Sequence, residues 1–268
     1  MSPRELKDAA EALDALRWWA TSGIEVMFEE RPRNRFEERA APREPAVGPT
    51  AVAPAAAESA PAAPDAAART AAEWAAAAST LEALRAAMER FEGCALKRTA
   101  TQLVFADGAP GGPLMIVGEA PGGEEDRIGR PFVGRAGRLL DLMLAAIGLD
   151  RRQVYIANVV PWRPPGNRTP TSQETAICLP FIRRQIELCA PRFLVTMGNP
   201  STQTLLRVRE GITRARGIWR PYEIAAGRTI PALPTLHPAY LLRSPAAKRW
   251  SWLDLRALRR AIETGRTD

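Results

Sequence analysis

Histidine occurs once in this 268-residue chain, at His237, and lysine and cysteine occur three times each. The cysteines, Cys94, Cys178 and Cys189, are odd in number and contain no C-x-x-C, which excludes a disulfide scaffold. Three thiols also fall short of a four-thiolate metal site built from one chain. With Lys7, Lys97 and Lys248 the only lysines among 37 basic residues, the positive charge is almost wholly guanidinium, the group that grips phosphate through two parallel hydrogen bonds. No uninterrupted apolar run reaches membrane length, and Arg4, Glu5 and Lys7 stand where a signal peptide would begin its apolar core. The expectation is a cytoplasmic protein. Heptad and Gly-x-y periods are absent, and so is the G-x-x-x-x-G-K-[ST] phosphate loop.

Apolar residues make up 46% of the chain, enough for one sizeable domain with a buried core. The net charge of +7 is unevenly spread: residues 1–90 carry −4 and residues 91–268 carry +11. The basic part is where a polyanion would go. Leu6, Ala9, Leu13, Leu16 and Trp19 recur at helical spacing and predict an amphipathic helix over 4–28. Of the 28 residues from Ala41 to Ala68, 13 are Ala and 6 are Pro, which predicts a flexible, polyproline-like linker. A second helix is expected over about 70–91. The resulting division is an N-terminal helical segment at 1–35, an Ala/Pro-rich linker at 36–72 and a folded domain at 73–268.

Beyond that point apolar runs alternate with helical patterns. Leu114–Val117, Val154–Val160, Phe193–Met197 and Ile230–Leu236 read as four buried strands. Ala136–Ile147, Ser172–Leu188, Pro200–Leu206 and about 246–262 read as helices between and after them. This is an α/β pattern with a mainly parallel sheet covered on both faces, whose ligand crevice lies beyond the carboxyl ends of the strands. The residues that follow each apolar run are therefore the candidates for chemistry.

After the first run comes GEAPGGEED (118–126), which places Gly118 in a tight turn and Glu119 at the sheet edge, as a carboxylate facing a cation or as a solvated cap. GRPFVGRAG (129–137) holds Phe132 between Arg130 and Arg135; the ring is a stacking platform beside phosphate grips, or simply core. Asn158 ends YIANVV (155–160), and its planar amide matches the edge of a nucleobase, though a structural Asn would also satisfy the pattern. Arg163 and Arg168 flank a PPGN turn suited to a DNA backbone or to a plain surface loop. His237, fixed by Pro238, falls at the same edge, followed by Tyr240, Leu241 and Leu242 as an exposed apolar trio and then by Arg243. Such a loop is shaped to enter a base stack.

Together GEAPGGEED, GRPFVGRAG, YIANVV, RPPGNRTPT (163–171) and LPTLHPAYLLRSP (233–245) resemble the family 4 uracil-DNA glycosylases. The resemblance covers about residues 91–264 with the motifs in the family's order. It implies a three-layer αβα fold that removes uracil from DNA by hydrolysing the N-glycosidic bond, leaving an abasic site. By the same resemblance Glu119 and His237 are catalytic, and Gly118, Phe132, Asn158 and His237 bind the base. Arg130, Arg135, Arg163, Arg168, Tyr240, Leu241 and Arg243 would contact DNA.

The family typically carries a [4Fe-4S] cluster on four cysteines. Cys94 and Cys178 match two of those positions, and Phe91 and Trp162 occupy the others. Neither replacement ligates iron, so no cluster, no metal and no other cofactor is expected. The expected partner is uracil-containing DNA, single- or double-stranded, with a repair or replication protein as a further candidate for the N-terminal segment. The competing readings are a superfamily glycosylase for another deaminated base and a DNA-binding module without catalysis.

Overall fold

The computed structural model of the chain describes residues 64–224 and 227–267. The helix expected at 4–28 and most of the linker expected at 36–72 lie outside those residues. Helix α1 (Pro64–Ala77) already occupies the end of that linker, so residues 64–72 are helical. Pro64 sits at the first turn, where a missing N–H costs nothing, and no proline follows before Pro110. Ala67, Ala71, Ala75 and Ala78 form a buried stripe of small side chains. The single helix expected over 70–91 is two, because Thr80 interrupts it. Its hydroxyl accepts the Ala83 N–H at 3.1 Å and caps α2 (Leu81–Arg90).

The chain continues through α3 (Leu96–Thr99), β1 (Asp107–Gly108), β2 (Leu114–Gly118), α4 (Gly123–Ile128), α5 (Arg135–Ala145) and β3 (Val154–Asn158). Then follow α6 (Ser172–Cys189), β4 (Phe193–Met197), α7 (Asn199–Leu206), α8 (Ile212–Ala215), β5 (Arg220–Ile224), β6 (Arg228–Thr235), α9 (Pro238–Arg243) and α10 (Lys248–Thr264). The four strands expected from apolar runs, β2, β3, β4 and β6, are parallel neighbours at the centre of the sheet. Two antiparallel strands complete the order β1-β3-β2-β4-β6-β5, so the sheet has six strands rather than the expected four. The additions are edge strands: β1 spans two residues, and β5 reads Arg-Pro-Tyr-Glu-Ile with exposed positions. An edge needs no continuous apolar run, and its proline is tolerated there.

Side chains alternate between the faces of each central strand. Met115, Val117, Tyr155 and Ala157 join α1, α2 and α6 in one core layer. Leu114, Ile116, Val154 and Ile156 join α5 and α10 in the other. Helices thus cover both faces of the sheet, which is the three-layer arrangement. No helix among the described residues is long and apolar enough to cross a membrane.

Candidate active site

The parallel strands end level. Gly118 lies beside Asn158 in register, and Met197 beside Thr235, so Glu119, Asn158, Gly198 and His237 are delivered to one edge. A cleft of about 600 Å³ opens there, lined by Glu119, Phe132, Asn158 and His237 together. Gly118 contributes by lacking a side chain: a Cβ would lie 2.4 Å from Asn158 Oδ1 and 2.6 Å from Phe132 Cζ.

Phe132 has a φ of 54°, a left-handed conformation that is an outlier for a bulky residue and therefore demands an external hold. Arg151 supplies one, donating to the carbonyl oxygens of Pro131 at 3.0 Å and of Phe132. The guanidinium is itself pinned by Asp107 at 2.8 Å and Asp141 at 3.0 Å. Glu125 supplies a second hold. Its Oε1 accepts the Val133 and Gly134 N–H groups at 2.9 and 3.0 Å, and its Oε2 accepts the Gly122 N–H at 3.1 Å. One carboxylate therefore ties the loop after β2 to the loop that carries Phe132. Gly137 lets the loop close, since a Cβ there would fall 1.7 Å from the Phe132 carbonyl oxygen. The Phe132 ring stacks on His237 with centroids 5.3 Å apart and planes 29° apart.

His237 caps α9, and its Nδ1 accepts the Ala239 N–H at 3.1 Å. That bond leaves the ring proton on Nε2. Burial pushes the imidazole down to about 4, the Arg243 charge adds to the effect and Glu125 opposes it, so the ring is neutral at physiological pH. Glu119 is shifted the other way: burial raises its carboxyl above the ordinary 4.5, against a stabilising hydrogen bond from the Thr169 side chain.

Two expectations change. Leu241 is not part of an exposed trio; it is 1% exposed in the core beside α5 and α10, while Tyr240 and Leu242 are each 37% exposed. On a helix of six residues successive positions face different ways, so a run of three apolar residues cannot all point outward. Arg168 lines the cleft but its guanidinium is engaged, paired to both Glu174 oxygens at 2.7 and 2.8 Å. Arg163 donates to Asn167 Oδ1 at 2.8 Å. Tyr240 and Arg243 line the cleft, whereas Arg130, Arg135 and Arg163 lie outside its lining. The sequence reading missed Glu125 and Thr169. Glu125 sits three residues past the Gly122 cap, the position from which a Glu reaches back to a helix N-terminus, and that spacing was the available signal.

A family model described as the uracil DNA glycosylase superfamily matches residues 105–258. The chain belongs to the uracil DNA glycosylase superfamily. Within it, a type-4 uracil-DNA glycosylase of Sulfurisphaera tokodaii is 38% identical over 188 residues, covering 67% of this chain and 84% of that one. A second type-4 uracil-DNA glycosylase, from Thermotoga maritima, is 40% identical over 165 residues, 61% of this chain and 84% of its own. A type-5 uracil-DNA glycosylase of Pyrobaculum aerophilum is 28% identical over 143 residues, or 48% and 62% of the two chains.

For this superfamily member the residues present do not fit a four-thiolate cluster. Cys94 and Cys178 face each other with sulfurs 3.9 Å apart, both buried. Phe91 and Trp162 are 2% and 1% exposed in the same core layer. The Phe91 ring meets Phe181 edge-on at 5.1 Å and Trp74 at 5.8 Å. Among the described residues no group of three or more His, Cys, Asp or Glu side chains is placed to hold a metal ion.

Proposed function

We propose that this chain hydrolyses the N-glycosidic bond of uracil in DNA, without a metal or cluster, and leaves an abasic site. The observation that carries the reading is the convergence of a carboxyl, an aromatic ring, a primary amide and the only imidazole on one cleft. The target nucleotide must first leave the duplex, at a cost of about a few kcal/mol that is smallest for a mispaired or single-stranded base. Uracil then stacks on Phe132, while the Asn158 amide accepts from N3–H and donates to O4. Cytosine presents the opposite polarity and would leave the buried amide unpaired.

In the chemical step the C1′–N1 bond breaks and its electron pair departs with the base. The neutral His237 Nε2–H donates to the uracil oxygen on which that charge accumulates. Glu119 faces the oxocarbenium-like sugar and orients the water whose oxygen bonds to C1′, and the proton released balances the charge on the uracil. Each of these two electrostatic contacts is worth about 2–4 kcal/mol by the measure of oxyanion donors. Tyr240 and Leu242 occupy the gap left in the stack, and Arg130, Arg135, Arg163 and Arg243 contact phosphates; Arg168 is withdrawn from that set because Glu174 holds it.

Uracil-containing oligonucleotides, single-stranded and mispaired, test this directly. Alkali-labile breaks should appear at uracil, and a strand left intact at uracil would overturn the assignment. An Asn158→Ala enzyme should lose about 100-fold or more in single-turnover excision with DNA affinity nearly unchanged, as expected when a buried recognition pair is broken. Equal losses in both would remove Asn158 from base recognition.

A further inference from the structure

The outward face of α10 belongs to no part of the cleft. Arg249, Arg256 and Arg260 lie along it seven and four residues apart, and Trp252 and Leu253, 46% and 48% exposed, sit between them. The acidic side chains of this helix are already consumed. Asp254 is buried under Arg216 and accepts the Thr235 hydroxyl at 2.7 Å, and Glu263 pairs with Arg259. The stripe of cations is therefore uncompensated by its own helix, and the Trp252 indole has no ring partner among the described residues. Arg249 covers the neighbouring Trp250 ring at 4.6 Å, which leaves Trp252 as the available aromatic face.

The stripe also has a direction. Chain order runs from His237 through α9 and a 3-10 turn at Pro245–Ala247 straight into Lys248. At the other end, a Cβ on Gly265 would lie 3.7 Å from the guanidinium of Arg192, the residue immediately before β4 begins. Helix α10 therefore starts at the cleft edge of the sheet and descends to the opposite edge. From Arg249 to Arg260 the rise is about 16 Å at 1.5 Å per residue. That is the length of about five nucleotides of a stacked strand.

We propose that this face of α10 is a second DNA-binding surface, which takes the single strand continuing from the extruded nucleotide. Guanidinium groups hold its phosphates and Trp252 stacks on a base, the combination of groups that binds single strands without reading sequence. The assignment of the strand's origin rests on the proposed glycosylase activity; the binding of a single strand does not.

The test compares the full chain with an Arg249→Ala, Arg256→Ala, Arg260→Ala triple variant and with Trp252→Ala, using a short and a long single strand bearing one uracil. On the long strand KM should rise about tenfold in the triple variant with kcat unchanged, and the salt slope of binding should fall by about 2, at about 0.7 for each phosphate that is no longer neutralised. On the short strand both constants should stay at parental values. Trp252→Ala should weaken the long strand about tenfold, as removal of one stacking platform does, and Trp252→Phe should restore it. Anisotropy with a uracil-free strand of the long length reads the surface even if excision fails, so failure of the glycosylase reading is distinguishable from failure of this one. Unchanged affinity and salt slope in both variants, or losses confined to duplex DNA, would overturn the proposal.

Discussion

Glu119 and His237 are titratable groups pushed in opposite directions by the same burial, and that opposition sets the pH behaviour of the site. The imidazole stays neutral down to about 4, whereas the carboxyl has its transition above the ordinary 4.5. On acidification Glu119 therefore takes up its proton first, while His237 is still a neutral donor. Excision should fall along a single acid limb set by Glu119, and Glu119→Gln should lower the rate about 100-fold or more and abolish that limb. A limb that persists in Glu119→Gln would transfer the titration to another group. Stability carries its own sign: with the folded His237 near 4 and an ordinary value of 6.5, the unfolded chain binds the extra proton between them. The contribution of neutral His237 thus disappears as pH falls from about 6.5 to about 4.

Helix α9 separates two roles that lie side by side in sequence. Leu241→Ala should cost about 2–5 kcal/mol in denaturant unfolding because the side chain is wholly buried. Tyr240→Ala should change stability by less than about 0.5 kcal/mol. It should still slow excision from duplex more than from single-stranded DNA, since only the duplex needs a side chain to fill the gap. If Tyr240→Ala slows both equally, the wedge role falls. The strands and long helices were legible because buried parallel strands are continuous apolar runs and covering helices keep their period. Glu119, Asn158 and His237 were legible because each ends or directly follows such a run, whereas Phe132 lies beyond α4 and was legible from the proline, glycines and arginines around it. Burial within a helix of six residues, an ion pair that occupies Arg168, and edge strands with exposed positions leave no periodic trace. They emerge only from tertiary packing.

At the scale of the molecule, the layer holding α1, α2 and α6 is filled around Phe91, Trp162 and Phe181, all three buried. Packing of that kind has a measurable cost of removal: Trp162→Ala should lose about 3–5 kcal/mol in equilibrium unfolding. A loss under about 1 kcal/mol would show that the indole does not hold this layer together. The other layer holds Phe132, and there the hold is polar. Arg151 and Glu125 fix the backbone around an unfavourable φ through hydrogen bonds within the chain itself. The conformational entropy of shaping the base slot is thus spent during folding, not at capture. On the proposed function, the slot then meets the base already shaped, and capture waits on the opening of the DNA rather than on a rearrangement of this loop.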